Sequence, residues 1–232
     1  MDTFQMYEDI KARTNGEIYI GVVGPVRTGK STFIKRFMDV LVLPYMDDEH
    51  EKARTRDELP QSGSGKTIMT TEPKFVPKEA AVIHLQEDLN LKLRLIDCVG
   101  YMVNGATGHL EENAQRMVKT PWFEEEIPFT HAAEVGTRKV IHEHATIGIV
   151  VTTDGTITEI DREAYLEAER KTIMELQNIG KPFVVLVNSK KPYAKEAQET
   201  AGWLEETYGV RALTVNCEKL KPEDIAKIME TV

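Results

Sequence analysis

Gly24-Pro25-Val26-Arg27-Thr28-Gly29-Lys30-Ser31 decides the fold of this chain. The spacing is Gly-x-x-x-x-Gly-Lys-Ser, that of a phosphate-binding loop. The apolar run Ile18-Tyr19-Ile20-Gly21-Val22-Val23 precedes it, and the helix-forming Ser31-Thr32-Phe33-Ile34-Lys35-Arg36-Phe37-Met38 follows. A strand feeding a loop that feeds a helix aims several backbone N–H groups and the positive helix end at one point. Gly24 and Gly29 let the backbone curl around a phosphate with no Cβ in the way. Lys30 reaches the β- and γ-phosphates, and the Ser31 hydroxyl is placed to ligate Mg²⁺. Gly24 to Thr32 are therefore the expected contacts of a nucleoside triphosphate. Arg27, inside the loop, either touches phosphate or points outward.

Around this loop the chain reads as alternating strands and helices. Strands are expected at 81–85, 91–96, 147–152, 182–188 and 212–215, and helices at 132–145, 161–179 and about 195–208. Pro222 opens a last helix. Near-continuous Val/Ile/Leu strands between helices predict an α/β fold with a mostly parallel sheet covered on both faces. The hairpin formed by the runs at 81–85 and 91–96 adds one antiparallel edge strand. Two stretches stand apart. Residues 47–65 are charged and broken by Pro60, Gly63 and Gly65, which predicts a mobile loop within a switch region of about 47–75. Residues 101–131 form an insertion carrying Trp122, Phe123, Ile127 and Phe129 around Glu124-Glu125-Glu126, either an extra hairpin or a protein contact.

A length of 232 residues fits one domain, 1–232, with these elaborations. Hydrophobic content of 41% with 29% charged residues is that of a soluble globular chain with a real core. The net charge of −9 argues against nucleic acid as the main partner, since phosphate neutralisation needs clustered Lys and Arg. Cys98 and Cys217 make no disulfide framework and predict reduced thiols. No apolar run approaches bilayer length, so no direct membrane insertion is expected.

Further motifs fall where a nucleotide would need them. Asp97-Cys98-Val99-Gly100 ends a strand as Asp-x-x-Gly. Asp97 is expected to hold the Mg²⁺ shell, and the Gly100 N–H to sense a γ-phosphate. Thr70 and Thr71 lie between the first helix and the hairpin, where either hydroxyl completes Mg²⁺ coordination only in the triphosphate state. Gly63-Ser64-Gly65-Lys66-Thr67 imitates a phosphate loop, yet no strand precedes it. Asn188-Ser189-Lys190-Lys191-Pro192 follows the penultimate strand, where GTP-binding proteins carry Asn-Lys-x-Asp. Asn188 keeps the first position, but Lys191 replaces the aspartate that accepts from guanine. A lysine has no acceptor, and each buried donor left unpaired costs about 1–3 kcal/mol. ATP is therefore favoured over GTP. Asn188, Lys190, Asn216 and Cys217 are expected around the base. Tyr101 stands where Ras-like GTPases place a water-orienting glutamine, and no catalytic base is evident. His109, His131, His142 and His144 read as solvated side chains rather than a metal site.

Together the phosphate loop Gly24–Ser31, the pair Thr70-Thr71, the strand end Asp97–Gly100 and the altered Asn188–Pro192 motif resemble the stage IV sporulation protein A family. These are ATPases of endospore-forming bacteria that build the basement layer of the spore coat. The resemblance spans all 232 residues, as the amino-terminal nucleotide-binding domain. It implies a P-loop NTPase of the translation-factor GTPase type acting on ATP with Mg²⁺. By resemblance Lys30 serves binding, Asp97 serves the metal, and Thr70 and Thr71 act in hydrolysis. It also implies polymerisation of the chain with itself, a small amphipathic membrane-binding sporulation protein and other coat proteins as partners, and a place in the mother-cell cytoplasm at the outer forespore surface. Family members are longer, so assembly and anchoring are expected to need further domains.

Overall fold

The computed structural model describes residues 16–60, 71–86, 89–107, 110–111 and 114–232. Thr70, His109 and the segment Gly63–Thr67 lie outside the described residues. Strand β1 (Glu17–Val23) runs into the phosphate loop and then helix α1 (Lys30–Phe37), whose last turn widens into a π turn at Met38–Val42. Helix α2 (Glu49–Glu58) comes next, followed by the long strands β2 (Lys74–Gln86) and β3 (Leu89–Asp97). Two short antiparallel pairs follow. The first joins β4 (Leu110–Glu111) to β5 (Ala114–Gln115), and the second joins β6 (Met117–Val118) to β7 (Ile127–Pro128). The rest alternates: α3 (Phe129–Lys139, continued by a π turn at Val140–His144), β8 (Ile147–Thr153), α4 (Leu166–Asn178, entered through a 3₁₀ turn at Arg162–Tyr165), β9 (Phe183–Asn188), α5 (Lys195–Tyr208), β10 (Ala212–Val215) and α6 (Pro222–Thr231).

The main sheet has six strands in the order β10-β9-β8-β1-β3-β2. All neighbours pair parallel except β2, which runs antiparallel to β3 at one edge. This is the expected mixed α/β architecture with a mostly parallel sheet. Alternate side chains of each strand enter opposite cores. Ile18, Ile20 and Val22 of β1 pack with Leu93 and Leu95 of β3 and Ile149 and Val151 of β8, beneath Phe33, Ile34 and Phe37 of α1 and Ile225 and Ile228 of α6. On the other face Val23, Ile96, Val150, Val185 and Val187 meet Val140 and Ile141 after α3, Ile173 and Leu176 of α4, and Leu204 of α5. Both faces are thus closed, which is why these strands read as continuous apolar runs.

From β1 the chain crosses to β3 on one side, while β8 lies on the other. The crevice at such a reversal, at the carboxyl ends of the strands, is where open α/β sheets take ligands. The phosphate loop leaves β1 at this point.

Two expectations need correction. Residues 49–58, expected as part of a mobile loop, form α2. Asp48 caps it, its carboxylate accepting from the His50 and Glu51 amides at 2.8 and 2.9 Å. Glu49 and Glu51 in the first turn and Arg56 in the last complement the helix dipole. The helix has almost no apolar face, so hydrophobic periodicity could not reveal it. The second concerns β2, which begins at Lys74 rather than 81 and shifts register between Val76 and Ala81. Among the described residues no helix is long and apolar enough to cross a membrane.

Candidate nucleotide site

The phosphate loop is held open by contacts that only glycine permits. At Gly24 φ is +131° and an added Cβ would lie 2.4 Å from the Val151 carbonyl oxygen. Gly29 (φ +95°) caps α1 and would strike the Asn188 amide. Gly100 (φ +92°) would put a Cβ 2.1 Å from the Gly24 oxygen and 2.7 Å from Lys30 Nζ. The end of the Asp97–Gly100 motif and the phosphate loop therefore touch backbone to backbone around the Lys30 ammonium.

Lys30 is buried, and its Nζ donates to the Pro25 carbonyl at 2.6 Å. Burial pulls its pKa down, opposed by the charge of Asp97. The Thr28 hydroxyl shares the same carbonyl at 3.0 Å. A cation folded back on its own loop is poised to exchange a carbonyl for phosphate oxygens.

Opposite it, the Ser31 hydroxyl donates to Asp97 Oδ2 at 2.7 Å. Among the described residues no donor reaches Asp97 Oδ1, although that atom is shut off from solvent. Desolvation pushes the Asp97 carboxyl above its usual range, against the opposing effects of Ser31 and Lys30. A shielded carboxylate oxygen beside a serine hydroxyl at a helix start has the hard-oxygen chemistry that Mg²⁺ takes. The residues present therefore fit that ion. Cys98, between the site and the core, is buried and its thiol is pushed up to about 11 by desolvation, so it stays protonated.

Thr71 is buried, and its carbonyl lies where α3 passes closest, 2.5 Å from a Cβ built on Gly136. Asn188 does not turn its amide to a base. Its Nδ2 donates to the Thr28 carbonyl at 2.9 Å and its Oδ1 accepts from the Cys217 amide at 3.0 Å. It is a buried clamp between the phosphate loop and the loop after β10. The Cys217 thiol faces the α1–α6 core, so that residue offers only backbone. Asn216 is half-buried, its Oδ1 accepting from the Glu218 amide at 3.1 Å. Lys190 and Lys191 are exposed. Their amides donate to the Thr156 hydroxyl and the Ser189 hydroxyl, both at 3.0 Å, which shapes the loop. Ser31 and Thr32 are half-buried at the start of α1. Arg27 has φ 61°, the one positive value at a non-glycine among the described residues, and its guanidinium reaches the Thr107 hydroxyl at 3.4 Å. The described histidines join no group of three potential metal ligands.

Tyr101 is noted in the sequence only as standing in the glutamine position; its tie to Glu175, and the roles of Glu175 and Gly136, are not. Tyr101 is only 2% exposed, and its hydroxyl donates to Glu175 of α4. It therefore cannot orient water as a glutamine would. The signal available for it was an aromatic directly after Asp-x-x-Gly. Nothing in the sequence marks Glu175 or Gly136.

Comparison with known proteins places the chain among sporulation proteins. Residues 1–232 match the family model described as "Stage IV sporulation protein A, ATPase domain". The protein named "Stage IV sporulation protein A" in Clostridioides difficile (strain 630) is 56% identical over 227 residues, covering 98% of this chain and 46% of its own length. Its namesake in Bacillus subtilis (strain 168) is 52% identical over 229 residues, covering 99% of this chain and 46% of its own. The chain thus spans about half the length of the curated relatives it matches. Among solved structures, a mutation variant of SsGBP aligns at 12% identity with a TM-score of 0.49, over 98% of this chain and 60% of that one. Nothing below rests on that distant likeness.

Proposed function

Since this chain belongs to the stage IV sporulation protein A family and matches its ATPase domain from end to end, we propose that it binds ATP with Mg²⁺ and hydrolyses the terminal phosphate. In the longer protein, hydrolysis drives self-assembly of the spore coat basement layer around the forespore. One observation carries the catalytic part. The shielded Asp97 Oδ1 and the Ser31 hydroxyl share the site with a buried Lys30 that donates to a loop carbonyl. The strand order supports the translation-factor GTPase type for the whole of 1–232.

In this reading the amides of the loop from Arg27 to Ser31 take the β-phosphate, with Pro25 and Val26 shaping the loop. Lys30 leaves Pro25 to bridge the β- and γ-phosphates. Ser31 Oγ, Asp97 and a threonine hydroxyl of the pair Thr70-Thr71 would hold Mg²⁺. When bound, that ion neutralises charge growing on the transferred phosphate. Gly100 presents its N–H to the γ-phosphate, opposite Lys30. Water attacks γ-phosphorus, the bond to the β–γ bridging oxygen breaks, and ADP and phosphate leave. Contact of Thr70 or Thr71 with the γ-phosphate, present only in the triphosphate state, makes the pair a sensor.

Base choice follows from what Asn188 and Lys191 are doing. Asn188 commits its Nδ2 to Thr28 and its Oδ1 to Cys217, and Lys191 offers a cation where guanine needs an acceptor. Adenine avoids that conflict. Partners are further copies of the chain, other coat proteins and a small amphipathic membrane-binding protein, reached from the mother-cell cytoplasm through parts of the longer protein.

The test is phosphate release from ATP and from GTP, with each nucleotide competing against labelled ATP. ATP should bind better and be cleaved. Preference for GTP would replace this reading by a GTPase switch, and tight binding without release by a nucleotide-holding structural module.

A further inference from the structure

Tyr101 is fixed at both its backbone and its side chain. Its carbonyl accepts from the Val26 amide at 2.9 Å, within a parallel bridge between Pro25 and Tyr101. The residue before it is Gly100, which lies against the Gly24 carbonyl and Lys30 Nζ. Any shift of Tyr101 therefore moves both the phosphate loop and the Gly100 amide. Its ring packs with Val26, Val103, Tyr165 and Ala168. Lys171 Nζ stands 4.6 Å above the ring, and the hydroxyl is held by Glu175.

Glu175 is itself pinned from α3 and the turn after it. Arg138 Nε lies 3.0 Å and His142 Nε2 3.1 Å from its Oε1. Burial and the carboxylate raise the Tyr101 phenol well above its ordinary pKa, so it remains a neutral donor. The same α3 meets the Thr71 carbonyl through Gly136. One helix thus braces the threonine segment and, through Glu175, the residue after Gly100.

We propose that Tyr101 and Glu175 are a positioning pair for hydrolysis. The phenol held by the carboxylate fixes the Gly100 backbone against the phosphate loop and Lys30. This rests on the ATPase reading above. Neither side chain touches the reacting atoms. The pair makes the position after Asp-x-x-Gly rigid, so the triphosphate meets a Gly100 backbone already seated against Gly24 and Lys30. Losing the anchor slows the chemical step while leaving diphosphate binding intact.

The experiment uses the full chain with Tyr101→Phe, Glu175→Ala and Glu175→Gln. Three quantities are measured: steady-state ATP hydrolysis, the affinities for ADP and for the imido analogue of ATP, and amide exchange at Val26 without nucleotide. Tyr101→Phe keeps the ring and its packing, so it folds even where Glu175→Ala does not. It should lower kcat about tenfold with KM within about twofold. The preference for the analogue over ADP should shrink, and the Val26 amide should exchange faster. Glu175→Gln, whose carbonyl still accepts from the phenol, should restore most of the rate. A Tyr101→Phe protein with wild-type kcat and wild-type Val26 exchange overturns the proposal. So does one that loses thermal stability alone. A wild-type chain that binds no ATP overturns the ATPase reading instead, and Val26 exchange then decides separately whether the pair pins the loop.

Discussion

Lys30 and Asp97 are ionisable groups drawn out of water beside one another, and burial penalises the charged form of each. Lys30 is the lysine of the phosphate loop itself, so Lys30→Ala should weaken ATP binding by about a hundredfold or more, as loss of a preorganised cation against phosphate does. Titration with a labelled ATP analogue measures it, and unchanged affinity in a folded variant would sink the site. Asp97→Asn should separate function from stability. Phosphate release should fall about a hundredfold, because the asparagine amide is a poor partner for Mg²⁺. The nucleotide-free protein should nonetheless melt about 2–4 °C higher, the equivalent of about 1 kcal/mol at this length. The sign follows from the raised carboxyl pKa. Below the ordinary carboxylate pKa both folded and unfolded states are protonated, and Asp97 carries no penalty. As pH rises from there to the raised value, the folded state keeps a proton that the unfolded state has lost, so stability falls. Above that window the penalty is fully present. Melting curves across pH should show this decline in wild type and its loss in Asp97→Asn.

Secondary-structure elements with a periodic apolar face were legible, and those built by other means were not. The strands β8, β9 and β10 and the helix α5 fall within a residue of their expected bounds because buried Val/Ile/Leu runs and the glycine stop Gly209 mark them. Helix α2 was missed because charge and capping make it, with no buried face to read. The early start of β2 was missed because register with β3, not its own pattern, extends it. Helix α3 illustrates a requirement that belongs to packing alone. A glycine in mid-helix is worth about 1 kcal/mol less than alanine, so Gly136→Ala looks favourable on propensity. The Cβ would sit 2.5 Å from the Thr71 backbone oxygen, and overpacking against backbone costs about 1–3 kcal/mol. The clash should win. Gly136→Ala is expected to lower the unfolding midpoint and, by displacing the Thr71 segment, to slow ATP hydrolysis more than it weakens ADP binding. Denaturant melts with parallel rate measurements check both, and a stabilised, fully active variant would show that the segment yields freely.

For the molecule as a whole, nucleotide binding should appear as stability. At about 100 times its Kd, ATP with Mg²⁺ should add about 2.7 kcal/mol by mass action, which is about 5–10 °C in Tm for a chain of this size. GTP at the same concentration should add clearly less. Chelating the metal should remove most of the gain, since Ser31 and Asp97 then face the phosphates unaided. Thermal melts of the chain with each nucleotide measure this, and equal shifts from ATP and GTP would contradict the role given to Lys191.

By itself the sequence determined where a phosphate-loop pattern sits, that the sheet is mostly parallel, and which residues end its strands. Those features are local: a glycine spacing, an apolar period and an aspartate at a strand end act within a few residues of themselves. The tertiary structure alone decided what Asn188 does with its amide, that Cys217 faces the core, that Gly136 makes room for Thr71, and that Tyr101 is tied to Glu175. Each of these joins residues far apart in the chain, and hydrogen-bond direction and close approach exist only once the helices are laid on the sheet. No pattern along the sequence carries that information.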